Sequence, residues 1–210
     1  YIYSQRNSTV RQLYSSRTKK ITSEACIHHL WFSDADYLTK GNLIKWNPAV
    51  KTAEDRDGIW EALLDNRIDV VATDHAPHTS EEKAQAYGSA PSGGPLVQHA
   101  LLAMLDKVKE GKITLERVVE KMAHAPATLF RIKERGYIRE GYAADLVLVA
   151  PKPGATVDKN NLLYKCGWSP FEGHQFSHQI HSTYVNGNCV YANNTVIESG
   201  LGKRLMFIPR

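Results

Sequence analysis

Residues 68–78 read Ile-Asp-Val-Val-Ala-Thr-Asp-His-Ala-Pro-His, and they constrain the fold more than any other stretch. A short β-branched run without sustained polar alternation is the pattern of a strand covered on both faces, as parallel strands under helices are. Asp74 then falls at the strand's carboxyl end, where βα barrels place their catalytic groups. A carboxylate there can ligate a metal or accept a proton from a metal-bound water. His75 and His78 are in reach to orient it or to hold a substrate. The plain alternative is a polar turn with Asp74 as the cap of the next helix.

The flanking segments supply the parts that such a strand needs. Ile21–Ile27 reads as a strand leading into His28 and His29, and side chains of adjacent residues on an extended chain point to opposite faces. That pair is therefore expected to be scaffold. Residues 33–39 are acidic and turn-like. Asn42–Trp46 reads as a short strand entering Asn47, stopped by Pro48. Thr52-Ala-Glu-Asp55 is close to a capping box, opening a helix to about Asn66 with Ile59, Trp60, Leu63 and Leu64 inward. Strand, helix and strand make a β–α–β unit. Tyr87–Pro95 is a small-residue loop whose glycines let backbone amides approach a ligand.

Leu96–Lys109 is expected to be an amphipathic helix with Val97, Leu101, Met104, Leu105 and Val108 on one stripe and Gly111 as its stop. Thr114 caps a further helix to Met122, with Val118 and Val119 inward. Ser8 or Thr9 can open a short helix near the start. From Gly136 the character turns to β, and Asn186-Gly187 predicts a type I′ hairpin within 182–191. Asp145 precedes a strand outside the α/β region and reads as structural. His174, His178 and His181 lie near a Trp168–Gly173 loop and are expected to be exposed.

Bulk properties exclude several classes. A formal charge of +4 with scattered Lys and Arg gives no nucleic-acid footprint. Three cysteines without paired spacing argue against a disulfide framework and favour a reducing compartment. No apolar run reaches membrane-spanning length and no signal-peptide core opens the chain, so the expected location is the cytoplasm, without membrane or nucleic-acid partners. The chain starts on Tyr1, which suggests a molecule that begins within a longer one.

Thr73-Asp-His-Ala-Pro-His78 after a hydrophobic strand resembles the signature of dihydroorotases, zinc enzymes of the amidohydrolase superfamily. Six other segments are similar to that family: Thr22-x-Glu24 leading to His28-His29-Leu30, Asn47-Pro48, Ala90-Pro-Ser-Gly93, Ala125-Pro-Ala-x-x-Phe130, Gly136 to Val147 with its Ala-Asp-Leu-Val, and Trp168 to Gly173 with its Ser-Pro-Phe-x-Gly. The resemblance implies an α/β fold: the C-terminal part of a (β/α)8 barrel over residues 1–135, then strands of a small β-sandwich over 136–210. It implies reversible hydrolysis of the cyclic amide of dihydroorotate to N-carbamoyl-aspartate, with a binuclear zinc centre generating the nucleophile near neutral pH. Asp74 is then metal ligand and general base. Asn47, His78, Ala90, Ser92 and Gly93 bind the substrate, although Ser92 stands where relatives carry a bulkier residue.

No His-x-His occurs in the chain, and Arg6 stands where a further ligand histidine is expected; arginine stays charged and cannot ligate zinc. The zinc centre is therefore expected to be incomplete here, and the exposed barrel edges to require an N-terminal half or a homo-oligomeric partner. Two other readings stand beside this one. One is a related hydantoinase or allantoinase. The other is a non-catalytic dihydroorotase-like scaffold.

Overall fold

A computed structural model describes residues 21–197 and 202–209. The readings placed on Arg6, Ser8 and Thr9 lie outside the described residues. The chain forms two compact units, one made of the residues up to Met104 with Ala155–Gln175, the other of Leu105–Gly154 with the residues from Phe176 on. These units do not coincide with the 1–135 and 136–210 division drawn from the sequence. Residues 155–175 return to the first unit, where the Tyr164 hydroxyl accepts from the Gln98 amide at 2.9 Å.

The first unit carries one parallel pairing, made by the Ile21–Ile27 run and not by the Asn42–Trp46 run from which the β–α–β reading starts. Strands β1 (Glu24–Cys26) and β2 (Val70–Ala72) run parallel, with Glu24, Ala25 and Cys26 opposite Val70, Val71 and Ala72. Both strands are shorter than the sequence runs that announce them. The helix Ala53–Leu64 lies between them in the chain. Thr52 caps it, accepting from the Asp55 amide at 3.2 Å while the Asp55 carboxylate accepts from the Thr52 amide at 3.3 Å. Thr52→Ala is expected to cost about 1 kcal/mol, read as a lower urea midpoint at unchanged slope.

Trp60, Leu63, Ile27, Ile44, Trp46 and Ile68 are buried, each contributing on the order of 1.5–3 kcal/mol from apolar area. Trp60 also donates its indole N–H to the Leu30 carbonyl at 2.8 Å, so its one polar atom is satisfied.

Three local expectations are corrected. Residues 27–31 form a helical turn instead of an extended chain, which brings the two histidine rings to a centroid distance of 4.1 Å. Asn42–Ile44 belongs to a 3-10 turn (Gly41–Ile44) instead of a strand. The Asn42 amide donates to the carbonyls of Lys83 and Gln85, and the Lys45 carbonyl is claimed by the Gly93 amide, so the segment's polar groups are spent on loops instead of a ladder. The helix expected from Leu96 begins at Ala100, after a single turn closed by the His99 amide on the Leu96 carbonyl. Val97 is left exposed.

In the second unit, strands β3 (Leu146–Ala150), β4 (Gln179–Val185), β5 (Asn188–Ala192) and β6 (Thr195–Val196) form an antiparallel sheet in that order. Asn186 and Gly187 both take positive φ, 50° and 83°, as the I′ turn requires. Asp145 is structural, as expected: its carboxylate accepts from the Asn186 amide at 2.8 Å and pairs with Arg135. Burial raises its pKa, but these two partners outweigh that and hold the carboxyl below its ordinary value. The Thr114-capped helix is α-helical only over Leu115–Val119, then widens into a π-turn over Glu120–His124 that delivers the chain to Pro126. Val118 is buried there, whereas Val119 is exposed.

Candidate active site

Asp74 lies two residues beyond β2 and has φ 47°, a left-handed conformation that Asp adopts more readily than most residues. Its side chain and that of Asn47 accept or donate no hydrogen bond among the described residues, and both are exposed. A carboxylate and a carboxamide thus stand exposed, without a side-chain hydrogen bond among the described residues.

Backbone hydrogen bonds bind the predicted residues into one rim. The Gly93 amide donates to the Lys45 carbonyl at 2.9 Å, fixing the glycine loop beside the segment that carries Asn47. The Ala76 amide donates to the Gly94 carbonyl at 3.3 Å, fixing the same loop beside the Asp74–His78 segment. Glycine is required at this crossing. At Gly93 (φ 129°) an added Cβ would stand 2.5 Å from the Ala76 carbonyl oxygen, and at Gly94 2.8 Å from the Trp46 ring. Ala90 is buried beneath the loop, Ser92 half-buried on it. Asn47, Asp74, Ala90, Ser92 and Gly93 are therefore brought together through their segments.

The two histidines after Asp74 divide the work. His75 Nδ1 accepts from the amides of Leu96 and Val97 at 3.1 and 3.4 Å, so it fastens the loop to the next helix and its proton sits on Nε2. His78 keeps a half-exposed ring, with Nδ1 3.4 Å from the Glu82 carboxylate, while its carbonyl accepts from the Trp168 indole at 2.7 Å. His75 is the more exposed residue of the two.

Sequence patterning gave no sign of Lys83, which lies in a charged stretch and a four-residue helix. Its ammonium is buried and donates to the carbonyls of Lys45, Pro91 and Gly93 at 3.2, 3.0 and 2.8 Å. Burial and the neighbouring Lys45 charge lower its pKa to about 8, so it remains an ammonium at neutral pH. Lys45 in turn donates to the carbonyls of Tyr87 and Ala90. Two lysines thus hold the Tyr87–Gly93 loop by its carbonyls, and the signal for them is three-dimensional.

Around β1, burial with the charges of Asp74 and Glu24 pushes the Cys26 thiol up to about 12. Burial beside His29 brings His28 down to about 2, and burial also lowers His29 against an opposing hydrogen bond to Pro48 and the charge of Asp74. The Trp168–Gly173 loop expected to be exposed is instead packed inward. Phe171 is buried against Trp31 and Phe32, at ring centroids of 5.1 and 5.6 Å. His174, His178 and His181 are half-buried or exposed and form no metal-ligating group among the described residues.

The model of the amidohydrolase family matches residues 10–190. The chain belongs to the amidohydrolase family. Within the family it is similar to the dihydroorotase of Halobacterium salinarum, 41% identical over 175 residues, which cover 83% of this chain and 41% of that protein. It is also similar to the dihydroorotase of Pyrococcus furiosus, 32% identical over 94% of this chain and 46% of that protein. Among solved structures, the L-hydantoinase (dihydropyrimidinase) from Arthrobacter aurescens superposes with a TM-score of 0.84 at 28% identity, over 93% of this chain and 45% of that one. The chain thus spans less than half the length of the relatives it matches. The fold class expected from the sequence, α/β of amidohydrolase type, holds. No helix among the described residues is long and apolar enough to cross a membrane.

Proposed function

We infer that this chain is the C-terminal part of a cytoplasmic dihydroorotase, acting in the assembled protein on the cyclic amide of dihydroorotate and, in reverse, on N-carbamoyl-aspartate. The observation that carries the reading is the single rim on which Asn47, the Asp74–His78 segment and the Ala90–Gly93 loop are laced together. In the assembled protein, the β1–β2 pair belongs to a (β/α)8 barrel and the antiparallel sheet β3–β6 to a β-sandwich.

Zinc, when bound, supplies hydroxide at neutral pH. The donor chemistry fits that group in part: Asp74 offers one open carboxylate, and a binuclear centre needs further ligands from outside the described residues, in the N-terminal half or a homo-oligomeric partner. Asp74 receives the proton of the attacking water and returns it to the leaving ring nitrogen. The Asn47 carboxamide, with a donor and an acceptor, matches the paired edge of a cyclic amide. His78 meets the substrate carboxylate, and the backbone of Ala90, Ser92 and Gly93 closes over the ring.

The test is turnover of dihydroorotate against hydantoin by the intact, zinc-loaded protein and its His78→Ala variant. Losing a hydrogen bond to a charged group costs about 1.5–3 kcal/mol, so kcat/KM for dihydroorotate is expected to fall roughly 10- to 100-fold. For hydantoin, which has no carboxylate, it should change little. Preference for hydantoin would instead favour the hydantoinase reading, which the Arthrobacter aurescens superposition supports. Turnover of neither would favour the non-catalytic scaffold.

A further inference from the structure

We propose that Cys26, His28 and His29 form a second cation site, for zinc or a similar borderline-soft divalent metal, separate from the carboxylate centre at Asp74. The three residues each bring one ligand atom, a thiol sulfur and two ring nitrogens, into a group in which all lie within 4.8 Å of one another. No other such group of three is present among the described residues. The local backbone explains the convergence. β1 ends at Cys26 and the chain turns at once into the helix Ile27–Trp31, so positions i, i+2 and i+3 wrap around one turn instead of alternating across a strand.

Two independent observations point to a ligand. His28 is fully buried, yet neither ring nitrogen has a hydrogen-bond partner. A buried polar group left unpaired costs about 1–3 kcal/mol, and a cation on the lone-pair nitrogen removes the cost at that atom. The ring is held for the purpose, stacked on Trp46 at 4.2 Å with 7° between planes. The second observation is the tautomer of His29. Its Nε2 lies 2.9 Å from the Pro48 carbonyl, which can only accept, so Nε2 carries the proton and Nδ1 keeps a free lone pair. Metal-ligating histidines typically donate their other ring N–H in this way, to a carbonyl or carboxylate.

One thiolate and two imidazoles suit zinc and exclude magnesium and calcium, which take oxygen ligands. Binding is not a redox step: the Cys26 S–H bond gives its proton to solvent as the sulfur–metal bond forms. Three protein ligands leave a fourth position open. Cys26 pairs with Ala72, two residues before Asp74, so the second cation would sit one strand from the candidate catalytic carboxylate.

The proposal is tested by titrating the chelator-stripped full chain with Co(II) and following the near-ultraviolet thiolate-to-cobalt charge-transfer band, which a carboxylate–histidine centre does not give. The band should saturate, vanish in Cys26→Ser, and persist in Asp74→Asn, Cys166→Ser and Cys189→Ser. His29→Gln should weaken cobalt affinity by at least the roughly 10- to 100-fold that losing a supporting partner costs. Absence of the band, or its survival in Cys26→Ser, overturns the site. Should Cys26→Ser fail to fold, alkylation of Cys26 in the unaltered protein decides instead. Zinc must slow that alkylation at least tenfold, and an unchanged rate overturns the site. Neither readout depends on dihydroorotase activity.

Discussion

Asp74→Asn in the intact, zinc-loaded protein is expected to lower kcat for dihydroorotate by at least the ~10²–10⁴-fold that a positioned acid–base group contributes, with loss of a metal-ligating charge adding to it. The fold should survive. Asn is isosteric with Asp and tolerates the left-handed backbone, φ 47°, that this position requires. The native carboxylate accepts no hydrogen bond among the described residues, so nothing in the described structure is orphaned by the change. The informative result is therefore a collapse of kcat with an unfolding midpoint unchanged within a degree or two. Asp74→Ala would be a poorer probe, since it adds backbone strain to the loss of charge. A variant that retained turnover within tenfold would remove Asp74 from the chemistry and leave the rim as a binding surface only.

How much of this was legible beforehand depends on the range of the interaction. The strand runs around Glu24 and Val70, the Thr52 cap and the Asn186-Gly187 turn are readable because each rests on a few consecutive residues whose backbone preferences agree with the fold. The segments carrying Asn47, Asp74, Ala90, Ser92 and Gly93 were readable for a different reason, namely resemblance of short motifs. That they share one rim follows from the Gly93–Lys45 and Ala76–Gly94 hydrogen bonds, which span dozens of residues. The failures have the same origin. Asn42–Ile44 looks like a strand by composition, yet its Asn42 side chain is drawn to carbonyls 41 and 43 residues away. An extended run would put His28 and His29 on opposite faces. A single helical turn, with Cys26 as its cap, reverses that inference. Phe171, in a loop, packs inward because Trp31 and Phe32 offer it an aromatic surface.

Lys83 shows the same limit and carries the largest expected effect on stability. Its ammonium donates to the carbonyls of Lys45, Pro91 and Gly93. Lys83→Met keeps the length of the apolar stem and removes the donor. The Lys45 carbonyl retains the Gly93 amide, but the Pro91 and Gly93 carbonyls lose this bond, at about 1–3 kcal/mol each. Opposing this, the variant no longer buries a charge, a cost visible in the lowered pKa. The charge is still present at neutral pH and all three of its donors are used, so the hydrogen bonds win. The expected net loss is about 3 kcal/mol, measured by urea unfolding at pH 7, with a raised KM for dihydroorotate because the loop behind Asn47 is released. A loss below about 1 kcal/mol would show that desolvation cancels the three bonds.

The pH dependence gives the sign independently. Between about 8, the folded value, and the ordinary 10.5, the unfolded chain holds a proton on Lys83 that the folded chain has released. The Lys83 contribution to the unfolding free energy therefore rises with pH across that window. The methionine variant lacks this contribution, so the stability gap between the two should be flat below pH 8 and widen above it. A gap that narrows instead would mean that the three carbonyls hold the ammonium more tightly than burial expels it.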